Sequence, residues 1–191
     1  MSLPFSPPAY AIHEDATMCA MEDMRLLTTR SGFTFQVRQV REEDEAMLAE
    51  FFTHVTRDDL RFRFLSGAPR VTHDQIVMMT HVDHRRTENY LAFAENGSVL
   101  VATAMLACDS SMTRAEVAIA LREDYKARGI GWELLRYVAD AAVARGVSTI
   151  ESIESRENHA AIDVEEDQGF TAAFVPGDPS VVRVSKTLHP N

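Results

Sequence analysis

The chain has 191 residues, 46 % of them hydrophobic, and a formal net charge of −10. That length suits one globular domain, and so acidic a balance argues against general affinity for phosphate backbones or anionic lipid while suiting a cationic partner such as an amine. No run reaches the roughly eighteen apolar residues of a membrane span, and Cys19 and Cys108 make neither a disulfide framework nor a metal-ligand spacing, so a cytoplasmic, reduced protein with no metal, nucleic-acid or membrane partner is expected.

Residues 1–30, with Pro4, Pro7, Pro8 and little periodicity, read as a partly disordered extension ahead of a domain over 31–191. They lack the basic and apolar regions of a secretory signal. "FTFQVRQV" (33–40) alternates as a strand does. Met47, Leu48, Phe51, Phe52 and Val55 then recur at helical spacing. Thr56 and Thr72 are plausible caps of two further helices, the second burying Ile76 and Met79. Asn96-Gly97 between two apolar runs predicts a hairpin, and "TRAEVAIALRE" a third antiparallel strand. Ile130, Leu134, Val138 and Ala142 repeat every four residues, with Gly146 at the helix end. "VSTIESI" is a strand, "NHAAIDVEEDQ" a helix, and "FTAAFV" and "SVVRVSKTL" are strands around the "PGDP" turn.

The segment "REDYKARGIG" joins a strand to a helix through two glycines and two nearby cations. A helix start offers unpaired N–H groups and partial positive charge to an anion. Gly129 and Gly131 allow close backbone approach, and Lys126 and Arg128 add formal charge. The Walker pattern is absent. A dinucleotide fingerprint finds Glu151 about twenty residues on, but it needs glycine where Leu134 stands, and it belongs to a parallel unit rather than a hairpin.

"KARGIG" resembles the Q/R-x-x-G-x-G/A pyrophosphate loop of the GNAT acetyltransferase superfamily, with Lys126 at its first position. Asn158, Ala161, Gly169 and Phe170 resemble the family's Asn-x-x-Ala segment ending in Gly-Phe. "LRFRFLS", "THVDH" and "AEVAIALREDYKARGIG" look like the catalytic domain of bacterial Pat-type protein lysine acetyltransferases. The resemblance implies an α/β GNAT fold, a central mixed, mostly antiparallel sheet flanked by helices. It implies acetyl-CoA as co-substrate, held by Ala118, Ile119, Ala120, Leu121, Lys126, Ala127, Arg128, Gly129, Ile130, Gly131, Trp132 and Asn158. It also implies a primary amine as acceptor, a protein lysine or a small amine, and Glu116 as general base. Acceptor, acyl chain and oligomeric state, a dimer included, stay open. The alternative is an acyl-CoA-binding sensor or scaffold without turnover.

Several residues carry two readings. Glutamate is depleted in strands, so Glu116 is either an edge residue in solvent or a functional carboxylate on the face of Ala118 and Ala120; a bulge could reset that alternation. Asn158 is a cap, a cofactor contact, or both. Glu165 stands where many relatives place a tyrosine that protonates the leaving thiolate, so Tyr125 and Tyr137 are candidate substitutes, although packing against the loop and on the helix suits them better. His81, Asp83 and His84 cap a helix end more readily than they bind metal. Arg61, Phe62 and Phe64 border an acceptor pocket or simply pack.

Overall fold

The computed structural model describes residues 24–65 and 70–188. Among them, eight strands form one sheet: β1 (Arg25–Thr28), β2 (Thr34–Gln39), β3 (Thr87–Ala94), β4 (Val99–Cys108), β5 (Arg114–Leu121), β6 (Thr149–Ser155), β7 (Thr171–Phe174) and β8 (Val181–Thr187), in the order β1-β2-β3-β4-β5-β6-β8-β7. Every neighbouring pair is antiparallel except β5 and β6. Helices α1 (Glu45–Thr53), α2 (Arg57–Phe64), α3 (His73–Thr80), α4 (Ile130–Ala144) and α5 (His159–Asp167) flank the sheet. None is long and apolar enough to cross a membrane.

The helix starts follow their caps. The Thr56 hydroxyl accepts the Asp59 N–H, and Thr72 exchanges bonds with Gln75 in a capping box. On α4 the four-residue repeat Ile130, Leu134, Val138, Ala142 is buried, packing with Phe35, Val37, Val117 and Ile150 on one face of the sheet. Leu48, Phe51, Leu60, Ile76 and Met79 of the first three helices pack on Leu91, Phe93 and Ala120 of the other.

Two expectations change. The hairpin turn is not the two residues Asn96-Gly97. Its last strand pair is Ala94 with Val99, so four residues connect the strands, and Glu95, Asn96 and Gly97 all take positive φ. The expected extension over residues 1–30 lies outside the described residues as far as 23, but its end is part of the sheet: β1 pairs with β2 from Arg25↔Val37 to Thr28↔Thr34. Three of its four residues, Leu26 among them, are exposed, and this hid its periodicity.

The site follows from a pairing that stops short. β5 and β6 pair only over Arg114↔Thr149, Ala115↔Ile150 and Glu116↔Glu151. Beyond that, β5 stays with β4 as far as Leu121↔Ala102, and β6 stays with β8 as far as Ser155↔Val181. The sheet therefore opens into a wedge whose narrow end is at Glu116.

Candidate active site

Along the wedge, Val117 to Leu121 keep a strand on one side only. Their backbone groups leave an open edge roughly 13 Å long, at about 3.3 Å per residue. The β4–β5 register is unbroken, so no bulge resets the alternation. Ala115, Val117, Ile119 and Leu121 join the α4 core, and Ala120 joins the core under α1–α3. Glu116 and Ala118 share that second face.

At the wide end lies the loop from Lys126 to Trp132. Ala127 and Gly129 are left-handed, with φ of 58° and 82°, and Gly129 is the N-cap of α4. A Cβ on Gly129 would stand 3.2 Å from the Thr29 Cβ. The first-turn N–H groups of α4 have no partner within the helix, and with its dipole they favour an anion. The formal charges do less than the sequence suggests. The Lys126 ammonium is paired with the Asp59 carboxylate of α2. Arg128 turns behind the loop, its guanidinium 4.6 Å and 5.4 Å from the Tyr125 and Phe33 ring centres and donating to the Asp124 carbonyl at 3.0 Å. The loop is also braced from the β1–β2 turn: Arg30 stacks over Trp132 at 3.9 Å, and the Ser31 hydroxyl donates to the Arg128 carbonyl at 3.3 Å.

The wedge holds a cleft of about 290 Å³ between β5, the loop, β6, α5 and α2. Ala118, Ile119, Ala120, Leu121, Lys126, Ala127, Gly129, Ile130, Gly131, Trp132 and Asn158 line it; Arg128 and Glu116 do not. Glu116 is exposed at the narrow end, on the face toward α2, where its charge acts on the Arg63 guanidinium. Phe62 lines the cleft, Phe64 packs on Phe52, and Arg61 donates to Glu157 at 2.6 Å, tying α2 to the approach to α5.

Three buried side-chain polar atoms have no hydrogen-bond partner among the described residues: Arg63 Nε, Trp132 Nε1 and Glu165 Oε2. All three residues line this cleft. Buried polar atoms are normally paired, so orphans gathered in one cleft mark where a polar ligand belongs.

Two carboxyls form the wall facing β5. Burial pushes Glu154 up to about 7, against the pull of the Asn158 amide and the Arg63 charge. Burial pushes Glu165 up to about 8, against the Ser152 hydroxyl that donates to its Oε1, and the Glu154 charge adds to the rise. Asn158 stands at the N-cap of α5 but makes no side-chain cap bond; its amide donates to Glu154 at 2.7 Å instead. The capping reading is thereby corrected. Neither tyrosine lines the cleft: Tyr125 donates to Glu95 at 2.7 Å, and Tyr137 packs edge-on to Tyr90 at 5.3 Å. His81 ends α3 through its backbone N–H to the Val77 carbonyl. Sequence reasoning passed over Arg63 and Glu154. The signal was there in "TIESIES", where carboxylates interrupt an apolar strand.

The family model of the acetyltransferase (GNAT) family matches residues 48–170. The chain belongs to the GNAT acetyltransferase family. This GNAT chain is 24 % identical over 148 residues to an acetyltransferase of Pseudomonas aeruginosa, covering 76 % of this chain and 80 % of that one. Its fold is similar to the GNAT domain of S. lividans PAT, with a TM-score of 0.80 and 23 % identity over 87 % of this chain and 98 % of that one. It is also similar to the spermidine N-acetyltransferase of Vibrio cholerae solved with CoA and spermine, with a TM-score of 0.65 and 15 % identity over 80 % of this chain and 95 % of that one. At these identities the two structures speak to the GNAT fold alone.

Proposed function

We propose that the protein moves an acetyl group from acetyl-CoA to a primary amine by direct attack, with a protein lysine as the acceptor and Glu116 as the general base. The observation that carries the reading is the wedge itself: an open strand edge, a helix-start anion site and three orphaned polar atoms lining one cleft. The pyrophosphate belongs at the start of α4, and the pantetheine arm along Val117–Leu121, where its amides find the backbone groups that β6 leaves unpaired. The thioester then lies at the narrow end, and a backbone N–H there polarises its carbonyl. The amine enters from the α2 side. A free lysine is mostly protonated at neutral pH, with a pKa near ~10.4, so Glu116 takes a proton, through water if needed, as nitrogen attacks. The exposed Glu116 carboxylate at the narrow end and the chain's net charge of −10 support a cationic acceptor over a neutral one.

The absence of a tyrosine from the cleft, among the described residues, favours the rival reading of an acyl-CoA-binding module without turnover. Incubation with labelled acetyl-CoA and a soluble protein extract separates them. Label on lysine side chains, read by mass spectrometry, supports the transferase; label only on small amines replaces the acceptor; binding without transfer supports the module.

A further inference from the structure

We infer that Glu165 holds the proton that the leaving sulfur takes, and that Glu154 beside it returns that proton after each turnover. The inference rests on the acyl-transfer reading above. In water a thiol with a pKa near ~8.5 leaves tolerably as its anion. Inside this cleft, walled by Val117, Ile119, Leu135 and Val164, a thiolate loses its hydration, and burying an unpaired charge is costly. A proton donor has to stand at the narrow end.

Glu165 is the group placed for it. It is 5 % exposed and lines the cleft from α5, bonded to Ser152, the residue that follows the last β6 residue paired with β5. One oxygen is held by the Ser152 hydroxyl, while the other is buried without a partner among the described residues. Charged groups on the surrounding elements are otherwise engaged. On α4, Glu133 is paired with Arg136; on β6, Glu151 is paired with Arg114 and Arg183; and on β8 the Lys186 ammonium donates to the Gln168 carbonyl. Asp163 and Glu166 share its helix. Arg63 from α2 acts on Glu154 rather than on Glu165, which leaves Glu154 as the charge that acts on Glu165. Burial and that neighbour hold Glu165 protonated at neutral pH, with its pKa up to about 8. Two carboxyls lining one cleft, both raised by burial, can serve as an acid and its resupply.

The step balances. The amine nitrogen bonds the carbonyl carbon, the C–S bond breaks with its electron pair going to sulfur, and the Glu165 O–H proton goes to that sulfur to give the CoA thiol. The amine's surplus proton goes to Glu116 and on to solvent, and Glu165 regains its proton from solvent by way of Glu154.

The test uses hydroxylamine as the amine, because it is uncharged at neutral pH and needs no base to free its lone pair. Wild type, Glu165→Gln and Ser152→Ala are assayed with acetyl-CoA above the uncatalysed background from about pH 6 to 10, with acetyl-CoA affinity measured by calorimetry. Glu165→Gln should bind acetyl-CoA like wild type and turn over roughly 10²–10⁴-fold more slowly. Wild-type kcat should fall as pH rises through about 8, and the fall should vanish in Glu165→Gln. Ser152→Ala removes a donor that stabilises the carboxylate, so its limb should move to higher pH. Full turnover or an unchanged alkaline limb in Glu165→Gln overturns the inference alone. If that variant fails to fold, an unshifted limb in Ser152→Ala does so. A wild type that binds acetyl-CoA but acetylates neither hydroxylamine nor extract protein overturns the transferase reading and the inference with it.

Discussion

Replacing Gly129 by alanine tests whether the left-handed turn before α4 forms the anion site. At φ of 82° a side chain is strained, by roughly 1–2 kcal/mol for an L-residue in this region. The added Cβ would also stand 3.2 Å from the Thr29 Cβ, so Thr29 or the loop must give by a few tenths of an ångström. The strain has two places to appear. If the free protein keeps the turn, stability falls by that amount, a drop in Tm of roughly 2–8 °C for a domain of this size. If the loop relaxes instead, Tm holds and CoA must restore the turn on binding, which weakens affinity roughly 5- to 30-fold. The two losses should sum to about 1–2 kcal/mol whichever way they divide. Calorimetric Tm and CoA titration on the same preparation give both terms. Gly129→Val, β-branched, should lose more. Gly131→Ala is the control: its Cβ would meet Leu121 at 3.5 Å, an ordinary contact with no positive φ, and the family loop accepts alanine there. A Gly129→Ala protein with unchanged Tm and unchanged affinity would refute both the strain and the role of the turn.

Glu116→Gln should leave CoA affinity intact and lower turnover with a lysine acceptor roughly 10²–10⁴-fold, the loss shrinking as pH rises because more acceptor is already neutral; full turnover from about pH 7 to 9 would remove it as the base. Deleting residues 1–23 should leave Tm and CoA affinity unchanged, whereas deleting 1–31 removes β1, Thr29 and the Arg30 stack on Trp132 and should lower both; equal behaviour of the two truncations would show that β1 does not brace the loop. The raised Glu165 carboxyl means the folded state binds more protons than the unfolded one between the ordinary glutamate value, near 4.5, and about 8. Its contribution therefore lowers stability as pH rises through that window. Glu165→Gln should be more thermostable than wild type by a margin that grows from about pH 5 to 8 and then levels, and a margin independent of pH would show that the carboxyl is not shifted.

Much of this could be read from adjacent residues, because the physics involved is local. Thr56 and Thr72 cap their helices since a hydroxyl three residues from an N–H needs nothing else. The four-residue repeat on α4 names its buried face, and the glycine loop with Asn158 and Gly169-Phe170 points to the family. Even the face of Glu116 followed from the period of a strand. The sequence could not show what depends on distant segments meeting. Where β5 parts from β6 depends on β4 and β8, which hold the two strands from their outer edges as they diverge. Arg128 turns from the cleft to lie between the Tyr125 ring near it in the chain and the Phe33 ring far from it. Lys126 is claimed by Asp59 on α2. β1 is a strand because β2 offers it an edge. Glu165 heads a short row of helix acids, and Glu154 interrupts an apolar strand without showing what it faces. They become an acid pair only because the packing of α5 on the sheet takes both out of water and sets them side by side, and desolvation is a property of the assembled interior that no local pattern of residues encodes.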